Sequence, residues 1–349
     1  MDNLNLKLLP KIIVVLGPTA SGKSDLAVKL ALRLSSRQRR GLPEAAGQAK
    51  KKFGINGAEI ISADSRQVYK GLDIGSGKIT KKEMRGVPHH LLDVASPRKT
   101  FTVAQYQKLA KKAIKKILAK NKLPIICGGT GFYIDTLIYN YQLPEVPPQL
   151  KLRKQLEKKS VGELFNQLKK IDPRRAKTID RYNKRRLIRA LEIVLTTKKS
   201  VPLLDATACD SVSSYDVLFI GVKKSPEELK KLIAKRLKKR LKQGMINEVK
   251  KLRHQGLSWQ RLDDFGLEYR FVSRYLRGLI TKKEMVDLIL KESWRYAKRQ
   301  MTWFSASARG RCASGAKGGS ASGGKKDKET IWIDNPQKAF AICRDFLCL

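Results

Sequence analysis

Residues Gly17 to Ser24 read Gly-Pro-Thr-Ala-Ser-Gly-Lys-Ser, the spacing of a phosphate-binding loop. The apolar run Ile12–Leu16 precedes it and a helix-like stretch from Asp25 to Leu34 follows, so the motif has the strand–loop–helix setting that gives it meaning. In such a loop, Gly17, Pro18, Thr19, Ala20, Ser21 and Gly22 turn backbone N–H groups toward phosphate oxygens. Lys23 adds a full positive charge, and the Ser24 hydroxyl suits Mg²⁺. The expected ligand is a di- or triphosphate. Two further polar clusters end apolar runs: Asp64-Ser65-Arg66-Gln67, and Gly128-Gly129-Thr130-Gly131. Asp64 is the carboxylate of the three clusters. Beside a phosphate site it could serve as a general base or stand behind a Mg²⁺ ion, and its position leaves both open. Thr130 can aim a hydroxyl and a backbone N–H at a phosphate oxygen.

The elements that must hold these clusters read as α/β. Apolar runs at 12–16, 59–63, 123–127 and 217–222 predict buried strands, with an edge strand at Ile331–Ile333. Thr102–Lys120 predicts a helix whose stripe is Val103, Tyr106, Leu109, Ala110, Ala113, Ile114 and Ile117. In a doubly wound sheet, ligands collect where strands end, so the three clusters should converge on one crevice. Beyond the breaker Leu143–Pro148 the chain reads as helical and basic. From 225 to 303 it is helical again, with Leu229, Ile233, Leu237 and Leu241 at period four and a long final helix from Glu284 to Phe304. The expected organisation is a P-loop NTPase-like α/β core (1–140 and 206–349) with a parallel sheet, and an all-helical insertion domain at 141–205. A basic loop at 35–57 and a Gly/Ser/Ala/Lys-rich linker at 305–329 interrupt the core.

Lys and Arg number 74 against 31 Asp and Glu, a net charge of +43 over 349 residues, so a polyanion is the expected partner. Lysine-rich solvated helix faces would account for part of this excess. No run is long and apolar enough to predict a transmembrane span, and the first residues do not resemble a secretory signal. Cys127, Cys209, Cys312, Cys343 and Cys348 are scattered without CxxC spacing, which reads as reduced thiols in the cytoplasm. His89 and His90 have no third ligand at suitable spacing and read as structural or substrate-adjacent. Trp294 and Trp303 fall on the long helix and read as core.

Taken together, Gly17–Ser24, Ile60–Gly75, Pro88–Asp93, Cys127–Tyr133, Arg186–Glu192 and Ala297–Phe304 closely resemble the blocks of the tRNA dimethylallyltransferase family. They occur in order, and the resemblance spares the two interrupting loops and parts of the helical insertion. It implies transfer of a dimethylallyl group from dimethylallyl diphosphate to N6 of the adenosine 3′ of the anticodon, in tRNAs reading U-initial codons, with release of diphosphate. It also implies that Asp64 is the general base. Thr19, Lys23, Thr130 and Arg236 would stabilise the leaving diphosphate, and Ser24 would hold Mg²⁺, directly or through water.

For the tRNA anticodon stem-loop, the resemblance points to Asp64, Ser65, Arg66, Gln67 and Thr130 around the target base. It points also to Lys151, to Arg185, Arg186, Leu187, Ile188 and Arg189, and to Tyr269 and Arg270. Tyr69, Tyr133 and Tyr269 are the candidate stacking aromatics, though each reads first as a half-buried packing residue. Two departures stand out: Arg240 occupies a position where the family pattern is apolar, leaving it as a possible substitute for Arg236, and the glycine near Tyr269 has slipped. The competing enzyme reading is a P-loop kinase acting on a small metabolite or nucleotide. It accounts for Gly17–Ser24 and Asp64 but not for the basic helical insertion. A monomer satisfies every one of these expectations.

Overall fold

The computed structural model describes residues 9–35, 55–202, 214–307 and 330–347. The loop expected at 35–57 and the linker expected at 305–329 lie outside these apart from their ends, as do Cys209, Cys312 and Cys348. The described residues divide into two compact units, one of 9–138, 214–305 and 330–347, the other beginning at Tyr139.

The first unit is built on a sheet of six strands: β1 (Lys11–Leu16), β2 (Ala58–Ala63), β3 (His89–His90), β4 (Leu123–Gly128), β5 (Asp216–Val222) and β6 (Ile331–Ile333). Their order is β3-β2-β4-β1-β5-β6, and every pairing is parallel. Parallel strands covered on both faces need apolar side chains on both, which is why β1 and β4 read as near-continuous apolar runs; β2 departs from this with the buried Glu59 and Ser62. The helix Lys23–Arg33 lays Leu26, Ala27, Leu30 and Ala31 against the sheet. Thr102 starts the helix Val103–Leu118 with a capping box to Gln105. Of its predicted stripe, Tyr106, Ala110, Ala113, Ile114 and Ile117 are buried, whereas Leu109 is exposed.

Two elements were not expected. β3 is only two residues long, and His89 and His90 are extended because they pair with Ile60 and Ile61. The Glu284–Phe304 helix (observed as Lys282–Ser307) is not the final one, because Pro336–Phe346 follows β6 and buries Ala339 and Cys343. The helices Pro226–Lys242, Met245–His254, Trp259–Phe265 and Leu267–Leu276 pack with Lys282–Ser307 around Leu237, Met245, Val249, Leu262, Phe265 and Ile289. The period-four reading of the first holds for Leu229, Ile233 and Leu237; beyond them Arg240 is buried, and Leu241 is only half-buried.

The second unit contains the helices Leu150–Glu157, Val161–Ile171, Pro173–Thr178 and Lys184–Thr197. Side chains start the last three: Ser160 and Glu163 form a capping box, Asp172 accepts from Arg175 N, and Asn183 accepts from Arg186 N. Leu156, Leu164, Leu168, Leu187, Ile188 and Leu191 form its core. Glu192 is fully buried at the centre. Its carboxylate accepts two bonds from Arg153, at 2.7 Å each, one from Arg189 and one from Gln149 N. Among the described residues no helix is long and apolar enough to cross a membrane.

Candidate functional site

Register decides where the chemistry gathers. Leu16 of β1 and Ala63 of β2 both pair with Gly128 of β4, so the residues that follow each strand begin at one level of the sheet. The phosphate loop, Asp64–Gln67 and Gly129–Thr130 therefore meet at the carboxyl ends of three adjacent parallel strands. Gly128 permits that meeting: a β-carbon there would come within 2.1 Å of Ala63 O. Thr130 N donates to Ala63 O at 3.1 Å, and Thr130 Oγ1 accepts from Ser65 N at 3.1 Å. Asp64 Oδ1 accepts from Arg66 N at 2.8 Å and from Gln67 N at 3.3 Å, which sets the carboxylate at the head of its own turn.

In the phosphate loop, Ala20 and Gly22 have positive φ (64° and 89°), and the loop opens directly into the helix Lys23–Arg33. Gly17, Pro18 and Ser21 are buried, while Ser24 is exposed. Lys23 Nζ donates to Pro18 O at 3.1 Å. Burial lowers its pKa and Arg236 lowers it further, while Cys127 and Asp64 oppose them, which places Asp64 within electrostatic reach of the lysine. Arg236 Nη1 donates to Thr19 Oγ1 at 3.0 Å. Burial, then the like charge of Arg240, pull the Arg236 guanidinium down to about 10. Arg240 instead donates to Glu268 Oε1 at 2.6 Å and to Gly75 O at 3.1 Å.

Two residues here carried no expected role. Gln300, buried on the helix Lys282–Ser307, accepts from Thr19 N through Oε1 and donates to Gly129 O through Nε2, both at 2.8 Å. It ties the phosphate loop to the turn before Thr130. It lies inside the Ala297–Phe304 block quoted above, which was the one signal for it. Burial raises the phenol of Tyr296, a turn earlier, to about 12, and the Asp64 carboxylate pushes it the same way. Trp303 is half-buried and donates Nε1 to Asp135 Oδ2 at 2.7 Å, while half-buried Trp294 has Lys230 and Lys298 over its ring.

The remaining candidates separate by exposure. Gln67 Nε2 reaches Gly77 O at 3.3 Å, and Arg66 is half-buried. Tyr69, Tyr133 and Tyr269 are all buried. Tyr69 packs edge-on to Phe265, Tyr133 stacks on Tyr106 with centroids 4.0 Å apart, and Tyr269 donates to Glu248 Oε1 while accepting from Ser76 N. Glu248 in turn accepts from Asp73 N, Ile74 N and Gly75 N, so Tyr269 and Glu248 brace the loop after Asp64–Gln67. Arg270 donates to Asp263 O. In the helical unit Lys151, Arg185 and Arg186 are exposed; Leu187 and Ile188 are core; Arg189 is tied to Glu192 and Val146 O. His90 bonds Glu59 Oε2 at 2.7 Å, and His89 contacts Val87 O.

Among the described residues no group of three His, Cys, Asp or Glu could hold a metal. What the site offers is the exposed Ser24 hydroxyl and the Asp64 carboxylate. That sparse set fits a Mg²⁺ that keeps most of its water and takes its other oxygens from a bound phosphate group. A cradle of fixed cations and N–H groups beside one carboxylate can stabilise a departing phosphate group while a proton is accepted next to it.

Residues 67–307 match the family model described as IPP transferase. A tRNA dimethylallyltransferase from Anoxybacillus flavithermus is 43% identical over 296 residues, covering 84% of this chain and 87% of that protein. The crystal structure of the full-length tRNA isopentenylpyrophosphate transferase from Bacillus halodurans superposes with a TM-score of 0.61 at 32% identity, over 97% of this chain and 95% of that one. A eukaryotic dimethylallyltransferase solved acting on tRNA shares the fold, with a TM-score of 0.70 at 24% identity, over 97% of this chain and 80% of that one.

Proposed function

The chain belongs to the IPP transferase family, and we propose that it moves a dimethylallyl group from dimethylallyl diphosphate to N6 of the adenosine 3′ of the anticodon in tRNAs reading U-initial codons. The relatives speak for this prenyl transfer and not for a small-molecule kinase. The new bond joins N6 to C1 of the prenyl group as the bond from C1 to the diphosphate oxygen breaks. Diphosphate leaves with the electron pair, and N6 gives up one proton.

Adenine N6 is a poor nucleophile because its lone pair is delocalised into the ring, so the proton must be accepted as the bond forms. Asp64 is the acceptor in this reading. Oδ1 is held by Arg66 N and Gln67 N, which orients Oδ2 for the proton. Negative charge grows on the leaving group, so donors aimed there stabilise the transition state more than the ground state. Lys23, Thr130, and Thr19 with Arg236 behind it supply those donors. Ser24 is the residue to hold Mg²⁺, and that ion, when bound, adds positive charge to the diphosphate oxygens.

The observation that carries the reading is the strand-end convergence of Asp64 with the phosphate loop and Thr130. Arg236, not Arg240, is the diphosphate ligand in this reading, because it is the one that reaches Thr19. Exposed Lys151, Arg185 and Arg186 would take the tRNA backbone; Leu187 and Ile188 hold their helix, and Arg189 braces it through Glu192. One chain supplies every residue named, so a monomer suffices. The free thiols of Cys127 and Cys343 suit a reducing compartment, the cytoplasm.

The test is incubation of the protein with purified tRNA, Mg²⁺ and dimethylallyl diphosphate, followed by nucleoside mass analysis. The expected product is an adenosine heavier by one dimethylallyl group, formed with tRNA-dependent release of diphosphate. ATP turnover with a small acceptor and no modified adenosine would replace this reading with the kinase.

A further inference from the structure

Two arginines one turn apart on the helix Pro226–Lys242 have different partners. Arg236 reaches the phosphate loop at Thr19 Oγ1, 3.0 Å away. Arg240, only 7% exposed, is held by Glu268 Oε1 and Gly75 O. Both guanidinium groups press on Gly77, where φ is +63° and a β-carbon would come within 1.8 Å of Arg240 Nη2 and 2.2 Å of Arg236 Nη2. Thr19, Arg236, Arg240 and Glu268 line one cavity. A carboxylate therefore stands in the wall of a site meant to hold an anion.

That carboxylate has two cations to choose from. Its field acts on Arg236, raising its pKa against the effects of burial and Arg240. In a poorly solvated wall, an unpaired Glu268 would draw Arg236 toward itself and repel a diphosphate. The Arg240 Nη1 is spent on Glu268 and Gly75 O, and the pair nearly cancels in charge, so Arg240 adds little net positive charge to the site.

We propose that Arg240 is a positioning residue: it occupies Glu268 and so leaves Arg236 turned to the phosphate loop and available to the diphosphate. This rests on the reading of Arg236 as a diphosphate ligand.

The experiment is calorimetric titration of the full-length protein with inorganic pyrophosphate and Mg²⁺, using wild type, Arg240→Met, Glu268→Gln and the double variant. Arg240→Met should weaken binding by about tenfold or more, because it frees Glu268. Glu268→Gln should bind within about threefold of wild type, or more tightly, and the double variant within about threefold of Glu268→Gln. In turnover, Arg240→Met should raise KM for dimethylallyl diphosphate far more than it lowers kcat. A double variant that stays about tenfold weaker than Glu268→Gln overturns the proposal, since Arg240 would then act on the site without Glu268. So does Arg240→Met binding as wild type does. If Arg240→Met does not fold, the comparison of Glu268→Gln with the double variant decides alone. A wild type that binds no pyrophosphate strikes the diphosphate reading itself, and the proposal falls with it.

Discussion

Positive charge is used in opposite ways at the strand-end site and in the helical unit. At the strand ends, Lys23, Arg236 and Arg240 are withdrawn from water, and each is aimed by a named partner: Pro18 O, Thr19 Oγ1 and Glu268. In the helical unit, Lys151, Arg185 and Arg186 stand in solvent, while Arg153 and Arg189 turn inward to Glu192. Buried charges interact strongly and at fixed geometry, which suits recognition of one small ligand. Exposed charges are screened by salt and act through their density, which suits a polyanion. The difference teaches that the net +43 is not one property but two, and that only the exposed part should answer to ionic strength.

The contrast breaks most sharply at Glu192, where the helical unit behaves like the strand-end site. Glu192→Ala leaves Arg153, Arg189 and Gln149 N without their acceptor, and should cost about 3–5 kcal/mol of stability in denaturant unfolding, the usual scale for breaking a buried ion pair. A loss below about 1 kcal/mol would mean that water replaces the carboxylate. Next is the proposed base. Asp64→Ala should cut turnover by about a hundredfold or more while prenyl diphosphate and tRNA affinities stay within about threefold. Near-normal turnover would remove Asp64 from the chemistry.

Gln300→Leu should follow. It leaves Thr19 N and Gly129 O unpaired, and about tenfold should be lost from kcat/KM, on the scale of one or two unsatisfied buried groups. An unchanged kcat/KM would show that the two loops hold each other without it. The exposed face comes after these. Arg186→Glu should weaken tRNA binding several-fold near physiological salt, lower the log–log salt slope by about one, and leave stability unchanged. An unaltered slope would mean that this face does not meet phosphate.

Acid, last, acts on both regions alike. Burial alone would raise the pKa of Glu59 and Glu192, but Lys122, His90 and Lys120 hold the first at about 2, and Arg153, Arg189 and Gln149 N hold the second at about 2. The unfolded chain takes up these protons first, from about 4.5 downward. Their stabilisation is therefore complete above about 4.5 and is lost as pH falls toward about 2. A stability profile flat across that window would contradict both ion clusters, and Glu192→Gln should remove its share of the slope.

The strand-end motifs were legible because each is local. An apolar run followed by two or three glycines and a polar residue, or by Asp64 with its own turn, dictates a strand, a turn and an exposed backbone within ten residues. The buried stripe of Val103–Leu118 was legible for the same reason, its period being written in consecutive turns. Where a residue's state depends on a distant partner, periodicity points elsewhere. His89 and His90 carry no strand signal and are extended because β2 lies beside them. Leu241 was the periodic choice for the core, yet Arg240 is the buried residue, since Glu268 and Gly75 O supply what a buried guanidinium requires. Tyr269 reads in sequence as a packing residue that could also stack on a base; the fold buries it, and only the tertiary structure supplies Glu248 as its partner.

Read alone, the chain determined an α/β core, a glycine-rich turn with the spacing of a phosphate loop, one carboxylate beside it and a basic helical segment, because those follow from residue type and near-neighbour spacing. The tertiary structure decided which arginine meets the phosphate loop, that Gln300 joins that loop to the turn before Thr130, and which basic residues remain in water. Those choices depend on what lies across a cavity or a strand pairing, with partners up to 281 residues away, and no local pattern encodes them.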